Sequence, residues 1–257
     1  MKIIACIKQV PDSEAKIKAE NGQINTGDAP LVINPFDEYA VEGALQQREA
    51  VSGSTVTALC IGPESAKEAL KHALAMGADD AILVSDPALS DLDTIGAARV
   101  LAAAIQKIGG VDMVVFGRQT LDNGSGLTSA QTARALGWSL LGLAGQIKVE
   151  ERSVRVERVI EEGRQTVKAN LPTVISVVQS IGEPRYPSFM GIRKASKAEI
   201  PVWSLSDLGI AAPDAIIKRS ELMNPPARDT SVEIISGESP TEIADKLADK
   251  LITEKVL

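Results

Sequence analysis

Met113-Val114-Val115-Phe116-Gly117-Arg118-Gln119-Thr120-Leu121-Asp122-Asn123-Gly124-Ser125-Gly126-Leu127-Thr128-Ser129 is the stretch on which the fold turns. Four apolar residues, two of them β-branched, read as a buried strand, and a loop of small and polar residues follows before helical spacing resumes at Gly126–Leu136. A strand that feeds such a loop into a helix places backbone N–H groups and the helix dipole where an anion can sit. Asn123, Gly124 and Gly126 let the backbone approach a ligand, and Ser125 and Thr128 offer hydroxyls. The alternative reading is a tight turn whose glycines serve packing alone.

Outward from this stretch the same rhythm repeats. Lys2–Ile7, Thr55–Ile61 and Ala81–Val84 read as strands, and Pro35–Ala50, Glu64–Met76 and Thr94–Ile108 carry apolar residues at helical spacing. Pro35 and Pro63 suit helix starts and Gly77 suits a helix stop. Alternating strands and helices of this kind predict a doubly wound, mostly parallel α/β sheet with helices on both faces. In such a sheet the ligand lies beyond the carboxyl ends of the strands, near the switch in strand order. Cys6, Ile61 with Gly62, and the loop from Gly117 to Ser125 all fall on that edge, with Asn34-Pro35-Phe36 beside it. Small residues converging there suggest an adenine and a sugar-phosphate chain.

Asn21-Gly22 marks a small hairpin with Gln23–Asn25. Beyond Trp138, the segments Gln146–Glu150, Val154–Ile160 and Thr166–Ala169 alternate as antiparallel strands, and Val174–Val178 returns as a central apolar strand. These read as an antiparallel extension of one sheet, so residues 1–207 form one nucleotide-binding domain. Gly191–Ala198 reads as a short basic helix. From 208 the rhythm is lost. Asn224-Pro225-Pro226-Ala227-Arg228 interrupts any helix, and Thr241–Ile252 is amphipathic, with Ile243, Leu247 and Leu251 on one stripe. Residues 208–257 therefore read as a C-terminal arm that either folds back on its own core or reaches another surface.

Composition excludes more than it selects. Among 257 residues the net charge is −7, which argues against nucleic acid and anionic membranes. Aromatic residues make up 3%, too few for a base-stacking platform. A single histidine, His72, leaves no material for hydrolytic triads. Cysteine and histidine spacings fit no metal site. Neither a G-x-x-x-x-G-K-[ST] loop nor a convincing G-x-G-x-x-G follows a strand. Bond-making chemistry by the protein's own side chains is not expected. Two cysteines within strands imply a reducing compartment, and without a signal sequence or an apolar span the expected location is cytoplasmic.

Several segments resemble the beta subunits of electron transfer flavoproteins, the FixA group included. They are Ala5-Cys6-Ile7-Lys8-Gln9-Val10-Pro11-Asp12, Asn34-Pro35-Phe36-Asp37-Glu38-Tyr39-Ala40-Val41-Glu42, Ala73-Leu74-Ala75-Met76-Gly77-Ala78-Asp79, Gly117-Arg118-Gln119 with Asp122, and Glu183-Pro184-Arg185-Tyr186. The resemblance implies an adenine-nucleotide-hydrolase-like, Rossmann-like fold and a heterodimer whose FAD is held mainly by an alpha subunit. It further implies a nucleotide inside this chain, either AMP or, in electron-bifurcating members, a second FAD that accepts hydride from NADH. Carried over by motif, that pocket uses Cys6, Asn34, Ile61 and Thr120–Thr128, including Leu127, while Phe36 approaches the alpha-bound flavin. Tyr186, Phe189 and Met190, with Arg185, Lys194 and Lys197, match the loop that meets partner dehydrogenases, and the arm matches a segment docked on alpha. The complex would pass electrons to a membrane-bound or soluble acceptor. Asp122-Asn123-Gly124-Ser125-Gly126-Leu127-Thr128 departs from both phosphate-loop patterns of the family, and Gly124 removes bulk and negative charge where a diphosphate would lie. A stand-alone adenine-nucleotide sensor is the rival of another class, against which the extension and the arm both count.

Overall fold

The computed structural model describes residues 1–90, 92–217, 220–226 and 232–256. The described chain falls into two compact units, Met1–Leu222 and Met223–Leu257.

Six parallel strands build the centre of the first unit: β1 (Lys2–Ile7), β6 (Thr55–Ile61), β7 (Asp80–Val84), β8 (Met113–Gly117), β12 (Thr173–Val177) and the short β13 (Val202–Trp203). A long strand, β9 (Ser139–Glu150), joins them to the hairpin β10 (Ser153–Ile160) and β11 (Gly163–Asn170). The nine-stranded order is β11-β10-β9-β12-β8-β1-β6-β7-β13. Two small pairs stand apart: β2 (Gln9–Pro11) with β5 (Leu31–Ile33), and the expected hairpin of β3 (Lys18–Glu20) with β4 (Gln23–Asn25).

Alternation along β1 explains the layers. Ile3, Ala5 and Ile7 face one core with α1 (Pro35–Ala50) and α2 (Lys67–Met76), whereas Ile4 and Cys6 face a second core with α3 (Thr94–Ile108) and α4 (Thr128–Leu136). The chain builds outward from β1 through β6 and β7 on the first face. It then returns across the second face by α3 to place β8 on the other side of β1. The strand order therefore reverses between β1 and β8, and a crevice opens at their carboxyl ends. The doubly wound reading holds.

Two expectations need correction. The first extension strand begins at Ser139, seven residues before the expected Gln146. Its first half pairs parallel with β12 and its second half antiparallel with β10. The sequence signal is broken because Leu143 takes φ 60° where the register shifts, its N–H donating to Ser176 Oγ at 3.1 Å. Secondly, the helix expected over Gly191–Ala198 is α5 (Phe189–Ala195), started by Ser188, whose Oγ accepts from the Gly191 N–H at 2.9 Å. A Ser directly after Pro187 was the missed start signal.

After β13, α6 (Leu205–Leu208) and the segment to Leu222 belong to the first unit. The second unit carries α7 (Pro240–Thr253), capped by Ser239. Of the expected tether Asn224–Arg228, Ala227 and Arg228 lie outside the described residues, as do Lys218, Arg219, Asp229, Thr230, Ser231 and Leu257 of the expected arm.

Candidate functional site

Two strand-to-helix junctions meet at the reversal. Gly117 ends β8 against the first turn of α1: a Cβ there would stand 2.4 Å from the Phe36 carbonyl oxygen and 2.6 Å from Asp37 Oδ1. Only glycine lets these two elements touch. Its role is thus to admit a helix rather than a ligand directly, although it also lines the adjoining cavity.

Asn34, the residue before α1, is fully buried and holds the loop after β8. Its Nδ2 donates to the Gln119 carbonyl at 2.9 Å, and its Oδ1 accepts from the Leu121 N–H at 3.1 Å. Lys8 Nζ pairs with Asp122 from the other side. Gly124 and Gly126 then take φ 67° and 63°, and the Gly124 N–H returns to Thr120 O at 2.8 Å. The loop enters α4 at Leu127, which supplies no side-chain cap. The first-turn N–H groups of α4 are thereby left without a capping side chain, beside Thr128 and Ser129.

A cavity of about 770 Å³ occupies this edge. Of the expected nucleotide residues, Cys6, Ile61, Gly62, Gly117, Thr120, Asn123, Ser125, Gly126 and Thr128 line it. Asp122, Gly124 and Leu127 belong to the same loop but do not line the cavity, and Leu127 is exposed. Asn34 acts on the loop from behind, and half-buried Phe36 lies one residue from Asp37 of the lining.

The cavity continues beyond the residues expected from sequence. Ser85, Asp86, Leu89, Ser90, Leu92, Asp93 and Thr94, between β7 and α3, form its far wall. The signal was available: β7 ends on the same edge as β1, so its following loop had to contribute. Thr94 Oγ1 there is buried and has no hydrogen-bond partner among the described residues, a donor and acceptor left for something in the cavity. Uncapped helix N–H groups, glycine turns and hydroxyls at one end and this orphan oxygen at the other make a donor set suited to a phosphorylated, sugar-bearing ligand.

Burial dominates the titration of the groups at this edge. Burial pushes the Asp37 carboxyl up to about 7, against the Asn34 side chain and the Lys8 and Gly117 N–H groups, which favour the ionised form. Burial raises the Cys6 thiol well above its usual range and the Cys60 thiol to about 12, so neither is a thiolate at neutral pH. His72 Nε2 lies 2.8 Å from Glu38 Oε1, away from the cavity lining. Among the described residues no cluster of three or more His, Cys, Asp or Glu is placed to hold a metal, and no helix is long and apolar enough to cross a membrane.

The expected recognition residues gather elsewhere, at α5 and the loop before it. Tyr186, Phe189 and Met190 are 95%, 81% and 71% exposed, and Ile192 joins them. Lys194 and Lys197 lie exposed on the same segment. Arg185 differs from its neighbours, because its guanidinium turns inward onto Glu42 and Glu49 of α1.

Fold and site together define the class: a doubly wound α/β protein whose cavity lies where the strand order reverses. The chain belongs to the electron transfer flavoprotein family, and within it to the beta subunits. The Electron transfer flavoprotein domain matches residues 21–208. The chain is 35% identical to electron transfer flavoprotein subunit beta of Megasphaera elsdenii and 34% identical to the caffeyl-CoA reductase-Etf complex subunit CarD of Acetobacterium woodii, each alignment covering both chains in full. Protein FixA of Azorhizobium caulinodans is 35% identical over 82% of this chain and 77% of its own.

Proposed function

We propose that this chain pairs with an electron transfer flavoprotein alpha subunit and holds an adenine nucleotide in the cavity at the β1–β8 edge. The complex carries electrons from dehydrogenases to a downstream acceptor. The observation that supports the nucleotide is the loop Thr120–Thr128 ending at the uncapped α4, because phosphate oxygens accept from such N–H groups. Thr128 and Ser125 add hydroxyl donors, Cys6, Ile61 and Gly62 bound the space over the strand ends, and Asn34 keeps the loop in place. A flavin shared with the alpha subunit supplies the one- and two-electron chemistry. The protein's part is to place and shield it, with Phe36 as the side chain offered toward it. No side chain here acts as a covalent catalyst.

Tyr186, Phe189 and Met190 serve as an apolar anchor for partner dehydrogenases, flanked by the cations Lys194 and Lys197. The arm of residues 208–257 docks on the alpha subunit through α7, whose Ile243, Leu247 and Ile252 stay exposed. The location proposed for the complex is cytoplasmic.

A second reading puts FAD, not AMP, in the cavity and makes the complex electron-bifurcating. The reach of the cavity from Thr128 to Ser90 favours it, since about 770 Å³ accommodates ligands of dinucleotide size. Heat or acid release of nucleotides from the purified two-subunit complex decides between them. One FAD with one AMP per complex establishes the simple carrier, two FAD establish the second reading, and a complex without any adenine nucleotide beyond the alpha flavin overturns both.

A further inference from the structure

The segment Gly182–Ala195 displays a large apolar surface and yet is fastened at two separate places. The first is α5 itself. Gly191 lies so near α2 that a Cβ would stand 2.3 Å from the Ala75 carbonyl oxygen, and Ala195 is buried in the core beside that helix. The second is Arg185, three residues before the α5 cap Ser188. Its Nε and Nη2 meet Glu42 Oε2 and Oε1 at 2.8 and 3.0 Å, and its backbone N–H meets Glu42 Oε2 at 3.2 Å. Its Nη1 meets Glu49 Oε1 at 2.6 Å. Glu42 is buried; burial alone would raise its carboxyl, and the Arg185 bonds more than offset this and lower it. Gln46, between the two glutamates on α1, donates to the Ile181 carbonyl at 3.2 Å. Pro184 stiffens the chain just before Arg185, and Pro187 the stretch between the two fastenings.

We infer that Arg185 is a positioning residue: by clamping the loop to Glu42 and Glu49 of α1 it holds the Tyr186–Ile192 apolar surface in one arrangement before a partner arrives. Nothing else in the segment needs a bidentate, two-carboxylate pair. A surface loop tolerates mobility, whereas an anchor that must be ordered during docking loses affinity to the entropy of ordering. The inward turn of Arg185 separates it from Phe189 and Met190. It makes its bonds within this chain and leaves the partner to the apolar side chains. This inference rests on the docking reading above.

The test uses the purified two-subunit complex, with any flavoprotein dehydrogenase that reduces the wild-type complex as probe. Arg185→Gln combined with Glu42→Gln removes the pair without leaving a lone buried carboxylate, so the variant folds even where Arg185→Ala does not. Hydrogen exchange is expected to quicken about tenfold at the amides of Tyr186–Ile192 in the variant. KM for the complex as substrate is expected to rise about tenfold with kcat within about twofold, because docking rather than electron transfer is affected. Arg185→Lys, keeping one ion pair, falls between. Phe189→Ala with Met190→Ala is the separate control. If that pair leaves KM unchanged, the docking reading falls, and the exchange measurement alone judges the clamp. If it raises KM while the Arg185 variant changes neither exchange nor KM, the clamp is overturned and the docking reading stands.

Discussion

The two ends of one sheet are built on opposite principles. At the amino end, carboxylates close the strand termini: Asp112 Oδ2 accepts from the Lys2 N–H, and Asp79 Oδ2 accepts from the Val56 N–H, each at 2.8 Å. Lys2 Nζ donates to the Gly109 carbonyl at 2.8 Å, and Arg48 reaches both Gly77 O and Asp79. At the carboxyl end the loops instead stand away from the strands around a large cavity, with α4 uncapped and Thr94 Oγ1 orphaned. The difference teaches where stability and where ligand binding were placed. Side chains satisfy backbone groups at both ends, Asn34 and Asp37 among them at the carboxyl end, but at the carboxyl end donors are also left open where a ligand can enter.

Four substitutions break or sharpen that contrast. Gly117→Ala is expected to do most damage, because its Cβ would meet backbone atoms of α1 that have nowhere to move. A loss of about 3 kcal/mol or more in denaturant unfolding is expected, together with loss of bound nucleotide. Asn34→Ala comes next. Deleting its side chain strands the Leu121 N–H and the Gln119 carbonyl, at about 2 kcal/mol, and the nucleotide recovered from the complex should drop with it. A variant that loses stability but keeps full nucleotide content would show that the loop does not depend on Asn34.

Asp112→Ala, at the closed end, should reduce stability by about 1 kcal/mol through the exposed Lys2 N–H while leaving nucleotide content at the wild-type level. Equal nucleotide loss from this variant would erase the distinction between the two ends. The fourth concerns pH. Burial lifts Asp37 to about 7 in the folded chain, above an unfolded value of about 3.9. The folded state therefore holds the proton more tightly, and this group's contribution to stability falls as pH rises from about 4 to about 7, then levels off. In Asp37→Asn that part of the slope should vanish from chemical-denaturation midpoints measured across the window. An unchanged slope would place the titration elsewhere.

The comparison also marks what could be read in advance. Strands β1 and β6 and helices α1 and α3 were legible to the residue, since long apolar periods with proline and glycine at their ends leave one solution. The Thr120–Thr128 loop was legible as a loop with ligand-ready backbone. Its far wall was legible only through topology, because β7 ends on the same edge as β1, while Ser85–Thr94 is separated from the loop by a whole helix and strand and no local pattern joins the two. Ser139–Gly145 escaped for another reason: a strand that changes partners midway needs a positive-φ Leu143, which residue type does not announce. The resemblance sets Arg185 among the residues of the partner-binding loop, and no local pattern shows its acidic partners, which sit more than a hundred residues earlier, on α1.

What the sequence determined by itself was the alternating α/β order, the side of the sheet that carries loops able to face a ligand, and the family. These depend on period, turn chemistry and motif, all of which are local. Tertiary structure alone decided that Gly117 admits α1, that Asn34 braces a loop 85 residues away, and which donors remain open in the cavity. Those outcomes depend on where distant elements stop against each other. Close packing settles such contacts to tenths of an ångström, a scale on which residue type alone carries no information.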